Sequence, residues 1–127
     1  MMTRVATLND LAKLAEMGGK EFIASWATNY YGKENGVSLI TIDHKQIIAC
    51  LLGYIEDDIF ETIVFFMPEG KPEIGKYLFD KVESQFKNKG LKYINFLAEP
   101  SKDWETLGLK PIQTLYIKEL ENINGTS

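Results

Sequence analysis

The stretch Phe65–Gly90, FFMPEGKPEIGKYLFDKVESQFKNKG, decides the fold. A hydrophobic strand runs into a turn rich in proline and glycine, and the turn opens directly onto an amphipathic helix. The apolar residues of that helix recur at spacings of three and four and mark one buried face: Ile74, Leu78, Phe79, Val82 and Phe86. Gly90 stands where a left-handed residue typically ends a helix, and LKYINFLA then predicts another strand. A strand–helix–strand unit of this length requires its two strands to be parallel.

The turn itself is a candidate ligand site. Backbone N–H groups in the first turn of a helix have no partner within the helix, and the helix dipole adds positive potential there. Such a start suits an anionic ligand. The sequence therefore places a candidate anion site between the strand that contains Phe65 and the helix that follows it.

Composition limits the classes of partner. A chain of 127 residues fits one domain, and its net charge of −4 with dispersed lysines does not favour nucleic acid. No apolar run reaches the roughly 20 residues that cross a bilayer, so we expect no membrane segment. The N-terminus lacks the apolar core of a secretory signal. A single cysteine, Cys50, rules out an internal disulfide framework and predicts a reducing, cytoplasmic location.

The remaining pattern predicts a mixed α/β (α+β) domain over residues 1–121 and a polar C-terminal tail over 122–127. Three strands in an antiparallel meander precede the strand–helix–strand unit, so helices should cover both faces of one sheet. The predicted order is β-α-α-β-β-β-α-β-α-β. The predicted segments are Thr3–Ala6, a helix capped by Thr7, Lys20–Thr28, Val37–Ile42, Gln46–Glu56, Ile59–Met67, the helix before Gly90, Tyr93–Ala98, a short helix before Gly108, and Gln113–Leu120.

Three short motifs occur along the chain in this order: R-V-A-T-x-x-D from Arg4, I-G-K-Y-L-F-x-x-V-E from Ile74, and W-E-T-L-G-L from Trp104. Together with the element order, they resemble the GNAT superfamily of N-acyltransferases over nearly the whole chain. The resemblance implies a GNAT-like mixed sheet. It also implies acetyl-CoA as the acyl donor and a small-molecule or protein amine as the acceptor.

The resemblance also assigns the turn to the pyrophosphate of acetyl-CoA, with backbone N–H groups of Phe66 and Met67 holding the pantetheine and carbonyl. The family pattern Q/R-x-x-G-x-G/A falls on residues 70–75, where Gly75 matches and Glu73 replaces a glycine. A carboxylate there repels phosphate, or else simply favours the positive helix start. The cofactor-binding residues implied are Phe66, Met67, Gly70, Lys71, Glu73, Ile74, Gly75 and Lys76.

Two residues occupy catalytic positions of the family. Trp104 stands where a tyrosine acid is usual, but an indole N–H has no useful acidity, so packing is the alternative role. Glu61 is the acid within its strand and a candidate general base. Alternation predicts that it shares a face with Ile63 and Phe65. The Glu61 side chain then either borders the ligand-binding cleft that the resemblance implies or faces solvent.

Tyr30 and Tyr31 lie in the loop predicted after the second helix, a loop that contributes to the acceptor site in the family. They either contact the amine substrate or pack on the core. His44, the single histidine, falls in a predicted hairpin turn without other metal-ligating residues, so no metal site is expected.

Two functions remain open at this point. The first is an N-acetyltransferase in which the amine attacks acetyl-CoA directly. The second is a catalytically silent GNAT-like binding or structural protein, for example a phage particle component located in the virion. In that case a homo-oligomer or an assembly partner would replace the small substrate.

Overall fold

The computed structural model describes residues 1–97 and 102–109. Its elements follow the predicted order up to the short helix. They are β1 (Met2–Val5), α1 (Leu8–Met17), α2 (Lys20–Tyr30), β2 (Gly36–Asp43), β3 (Gln46–Glu56), β4 (Ile59–Phe66), α3 (Pro72–Phe86), a 3-10 turn at Lys87–Lys89, β5 (Tyr93–Phe96) and α4 (Lys102–Thr106). The end of the strand predicted to reach Ala98, the strand predicted at Gln113–Leu120, and the tail at 122–127 lie outside the described residues.

The described strands form one mixed sheet in the order β1-β2-β3-β4-β5. The strands β1 to β4 pair antiparallel, whereas β4 and β5 pair parallel from Ile59 opposite Tyr93 to Thr62 opposite Phe96. The parallel pair confirms the strand–helix–strand prediction, with α3 as the crossover. Gly90 ends the helical segment in the left-handed conformation at φ 96°, as its position predicts.

Two hydrophobic clusters cover the two faces of the sheet. The face under α3 includes Leu51 and Phe60, and the predicted helix face of Phe79, Val82 and Phe86 is buried there. The other face packs under α1 and α2. Its buried members are Ala6, Leu11, Leu14, Ile23, Trp26, Ile40, Cys50 and Leu52. Because helices cover both faces of the sheet, ligands can reach it at the ends of its strands.

Cys50 belongs to the α1/α2 face and is fully buried. Burial raises the pKa of its thiol to about 12, so the side chain stays protonated and serves as a small apolar core residue. Within residues 1–97 and 102–109, no helix is long and apolar enough to span a membrane. The same residues contain no group of three or more potential metal ligands.

Helix α1 begins at a reciprocal cap. The Asp10 N–H donates to the Thr7 hydroxyl at 3.2 Å, and the Thr7 N–H donates to the Asp10 carboxylate at 2.8 Å. Both oxygens of that carboxylate also accept hydrogen bonds from the guanidinium of Arg4. The sequence indicated the cap but not Arg4 as its partner. The arrangement ties the end of β1 to the start of α1.

This cap predicts a loss of stability in acid. The Arg4 guanidinium holds the pKa of the buried Asp10 carboxyl well below its usual range, so its stabilising effect is complete above the ordinary Asp pKa of about 4 and is lost as pH falls. We expect the urea midpoint to drop between pH 6 and pH 3 by more in the wild type than in Asp10→Asn. Equal drops would show that other carboxyl groups control acid unfolding.

Candidate active site

The described ladder between β4 and β5 ends before β4 does, and we call the place where it ends the opening. Their ladder ends at the pair Thr62–Phe96, whereas β4 continues through Ile63–Phe66 without a β5 partner among the described residues. At the point of separation the Thr62 hydroxyl is buried and makes no hydrogen bond with a described residue. A buried polar group without a partner is costly. The described ladder therefore ends beside a buried hydroxyl whose hydrogen-bonding capacity no described residue uses.

A β-bulge lies next to this opening. Leu52 pairs with Val64, but Gly53 pairs with Thr62, so Ile63 is the extra residue in β4. A Cβ atom on Gly53 would lie 2.3 Å from the Glu61 carbonyl oxygen, so only glycine permits this approach of the strands. The Trp26 indole donates to the Gly53 carbonyl at 2.7 Å and fixes α2 over the bulge.

The bulge corrects one prediction about Glu61. Ile63 packs with the α1/α2 cluster, but Phe65 packs with the α3 cluster, because the extra residue reverses the alternation. Glu61 follows the α3-facing Phe60 and so lies on the α1/α2 side with Ile63. The prediction that it shares a face with Phe65 is wrong.

The register places Tyr54 opposite Glu61. Burial raises the pKa of Tyr54, with further contributions from Tyr30 and Glu61. Tyr54 was not among the residues predicted for the site. The two-residue turn Asp57–Asp58 sets the pairing of β3 with β4, so the sequence does contain the signal that places Tyr54 opposite Glu61.

Tyr30 is the last residue of α2, so the prediction that it lies in the following loop is wrong. Its ring stacks on Tyr54 with centroids 4.3 Å apart and an angle of 4° between the planes. Tyr31 follows the helix, and its ring lies edge to face with the ring of Trp26, with the ring centroids 6.4 Å apart. Both tyrosines therefore pack on neighbouring rings, and Tyr30 brings an aromatic surface next to Glu61 through Tyr54.

The start of α3 lies beside the end of β4. Pro72 is the first residue of α3. Lys71 occupies the N-cap position, and no side chain there accepts a hydrogen bond from the first turn of the helix. Gly70 has φ 77°, a conformation that favours glycine. Gly75 has a packing role, because a Cβ there would lie 2.6 Å from the Met67 sulfur and 2.8 Å from the ring of Phe65. The glycine therefore lets the helix rest directly on β4.

The charged residues of this segment differ in their surroundings. Glu73 and Lys71 are exposed at the helix start, whereas Ile74 is buried in the core. Lys76 forms an ion pair with Asp80 at 2.8 Å along the helix surface, which raises the pKa of the lysine. The helix start thus exposes the carboxylate of Glu73 and the ammonium of Lys71. The ammonium of Lys76 is paired with Asp80 one turn further along the helix.

Trp104 closes an aromatic cluster on the α3 face of the opening. Its ring lies 5.0 Å from Phe96 and 5.9 Å from Phe65, both edge to face, and Phe65 lies 4.9 Å from Phe79. Such contacts fix the orientation of the rings. The packing alternative for Trp104 agrees with these contacts, and a catalytic role for it stays a prediction.

No family model matches the chain, and no curated relative matches it. Solved structures do share its architecture. A predicted acetyltransferase from Clostridium acetobutylicum with acetyl-CoA is 13% identical and superposes with a TM-score of 0.72 over 96% of this chain and 95% of its own. An aminoglycoside 6'-N-acetyltransferase from Acinetobacter haemolyticus is 12% identical, with a TM-score of 0.66 over 100% of this chain and 97% of its own.

A third structure, AAC(6')-Iy bound to the bisubstrate analogue CoA-S-monomethyl-acetylneamine, is 14% identical. It superposes with a TM-score of 0.67 over 87% of this chain and 90% of its own. These identities are too low to transfer an activity, but the agreement extends over nearly the full length of each chain. The chain therefore has the fold of the GNAT superfamily of N-acyltransferases.

Proposed function

We propose that this protein is an N-acetyltransferase that moves an acetyl group from acetyl-CoA to an amine. The observation that carries the proposal is the end of the described β4–β5 ladder at Thr62–Phe96, next to the turn that leads from β4 to the start of α3, which has no side-chain cap. Structures of the same fold with acetyl-CoA and with a CoA-linked analogue support this choice of donor.

The residues at the opening fit a CoA thioester. The N–H groups of Lys71 and Ile74 already donate to carbonyls within the turn. The N–H groups of Gly70 and Glu73, together with the Lys71 side chain, would therefore face the pyrophosphate, since a helix start favours anions. The pantetheine would follow the unpaired edge of β4, where Phe66 and Met67 supply backbone groups. The buried hydroxyl of Thr62 offers a further hydrogen bond near the thioester end. Glu73 opposes the phosphate charge, and Pro72 removes one donor.

The chemistry needs few specialised groups. The acceptor nitrogen attacks the thioester carbonyl, a C–N bond forms, the C–S bond breaks, and CoA departs as a thiolate. The proton lost by the nitrogen passes to the Glu61 carboxylate, directly or through one water. Because a thiol has a pKa near 8.5, the thiolate leaves without a strong acid, and Trp104 acts by lining the opening. Most of the rate enhancement comes from positioning.

The acceptor side has its own surface. Glu61 lies two residues before the bulge residue Ile63, about 7 Å along β4 and on the same face. The stacked rings of Tyr30 and Tyr54 flank it. A carboxylate beside aromatic rings suits a cationic small-molecule amine, and the aminoglycoside-derived analogue bound by a protein of the same fold supports that class.

Titration with acetyl-CoA tests the donor site. We expect Glu73→Gln to bind acetyl-CoA several-fold more tightly than the wild type, because unit charges about 4 Å apart repel by roughly 1 kcal/mol even in water. Glu73→Gly should gain at least as much, since it also lets the backbone approach the phosphate. The gain should shrink at high salt, because salt screens the repulsion. Isothermal titration calorimetry provides the measurement.

Glu83→Gln is the matched control, because Glu83 is also an exposed acid on α3 but lies ten residues further along, about 15 Å away. Its affinity should equal that of the wild type. If the wild type binds tightly and Glu73→Gln binds no better, Glu73 points away from the phosphates. If no variant binds acetyl-CoA at millimolar concentration, the proposal is wrong and the silent binding protein replaces it.

A further inference from the structure

A second opening lies at the other end of the sheet from the β4–α3 turn. Gly36 of β2 pairs with Tyr54 of β3, whereas Phe66 at the end of β4 pairs with Cys50, about 13 Å away along β3. Beside Gly36 there is a cavity of about 370 Å³. It lies between the end of α2, the β1–α1 junction, the first residues of β2 and Gln85 of α3. Its volume is within the range of small-molecule sites.

The walls of this cavity are firmly held. A Cβ on Gly36 would lie 2.3 Å from the Tyr30 carbonyl oxygen, so glycine lets the end of α2 rest directly on β2. Trp26 lines the cavity and is fixed by its hydrogen bond to Gly53. The described β1–β2 pairing covers Leu39–Ile42 and continues with one hydrogen bond to Ser38, so Gly36 and Val37 form an edge of β2 without a described β1 partner. Close backbone packing and one buried hydrogen bond therefore position two sides of the cavity.

Ser38 supplies a polar group inside the cavity. Its side chain lines the cavity at 8% exposure, and its hydroxyl makes no hydrogen bond with a described residue. Its carbonyl accepts from the Ala6 N–H at 3.2 Å, and strand geometry turns its own N–H toward the same side. That N–H points along the sheet toward β1, so the hydroxyl is the group that the Ser38 side chain offers to the cavity. A nearly buried hydroxyl of this kind favours a ligand that accepts hydrogen bonds.

The other lining residues add one cation and several rings. Among the described residues that line the cavity, Lys33 is the charged one, and it makes no ion pair with a described residue. Tyr30 and Tyr31 contribute aromatic surface. The whole chain carries a net charge of −4, whereas the described lining of the cavity contains a lysine and no acid.

We propose that this cavity binds a small aromatic carboxylate, with its ring against Tyr30 and Tyr31 and its carboxylate toward Ser38 and Lys33. The Ser38 hydroxyl can donate to a carboxylate oxygen, and hydrogen bonds to a charged group are the stronger kind. The site is separate from the acetyl-CoA opening and does not depend on acyl transfer. Tyr30 also stacks on Tyr54, which lies opposite Glu61 in the strand register. A bound carboxylate would therefore contact a ring that packs on the neighbour of Glu61.

The experiment uses phenylacetate as the probe and the full chain without acetyl-CoA. Phenylacetate should bind at millimolar concentration and shift the amide resonances of Tyr30, Tyr31 and Ser38 in two-dimensional NMR spectra. Benzylamine, which has a similar ring and the opposite charge, should bind at least about tenfold more weakly. Lys33→Gln should weaken phenylacetate about tenfold and Ser38→Ala about fivefold.

Lys45→Gln is the control, because Lys45 is an exposed lysine in the β2–β3 turn outside the cavity lining. It should bind phenylacetate like the wild type. A urea midpoint near that of the wild type confirms that each variant is folded. The proposal is overturned if phenylacetate does not bind, if benzylamine binds equally well, if Lys33→Gln has no effect, or if the shifts map to Thr62–Gly75. None of these outcomes depends on whether acetyl-CoA is a substrate.

Discussion

Phe79→Ala should lower the free energy of unfolding by about 3–5 kcal/mol, the usual cost of emptying a buried phenylalanine site. Phe79 is 4% exposed and contacts the rings of Phe65 and Phe96, so its removal leaves a void beneath α3 and loosens the aromatic cluster. That loss is a large share of the roughly 5–15 kcal/mol that stabilises a typical domain. Urea denaturation followed by circular dichroism measures it.

Phe22→Ala is the matched control, since Phe22 sits on α2 with 64% of its surface exposed. The same change of side chain should cost less than about 0.5 kcal/mol there. If the two variants had the same urea midpoint, Phe79 would not be part of the packed face of α3, and the placement of that helix on the sheet would have to be revised.

Gly53→Ala should cost about 3 kcal/mol or more, although it adds only one methyl group. The added Cβ would press on the backbone oxygen of Glu61 and the ring of Phe60, so β3 and β4 must separate. The shift would also strain the hydrogen bond from Trp26 to the Gly53 carbonyl, a buried group that is costly to leave unpaired. Thermal and urea unfolding both report the loss.

Gly70→Ala separates this crowding from the ordinary cost of replacing a glycine. Gly70 has φ 77° and open space around it, so its replacement should cost about 1 kcal/mol, from backbone conformation alone. If Gly53→Ala were no less stable than Gly70→Ala, the bulge would have to adapt to the added methyl group. The spacing of β3 and β4 near Ile63 would then be adjustable.

The strand–helix–strand core was predictable because its signals are local and repeat. The spacing of Leu78, Val82 and Phe86 identified the buried face of α3, and Gly90 identified its end. The crossover then required β4 and β5 to be parallel, as they are. Each of these inferences depends on residues within one or two helical turns of each other, where the chain itself determines the geometry.

The site was less predictable, because its geometry depends on residues that are distant in sequence. Alternation along β4 failed after Thr62, since a bulge depends on how two strands align and not on the pattern of one strand. The two extra residues that bring Tyr30 into α2 are accompanied by stacking of its ring on Tyr54 and by close packing of its carbonyl against Gly36. Tertiary contacts of this kind override local propensity.

The hydrogen bond between Trp26 and Gly53 also constrains how this sequence can evolve. A larger residue at position 53 would displace the carbonyl that accepts from the indole, and a residue without a donor at position 26 would remove this buried hydrogen bond. Neither position can therefore change alone without a loss of stability, whereas an exposed neighbour such as Phe22 is free to vary. In related sequences the two sites should be retained together or replaced together, as a single unit of selection.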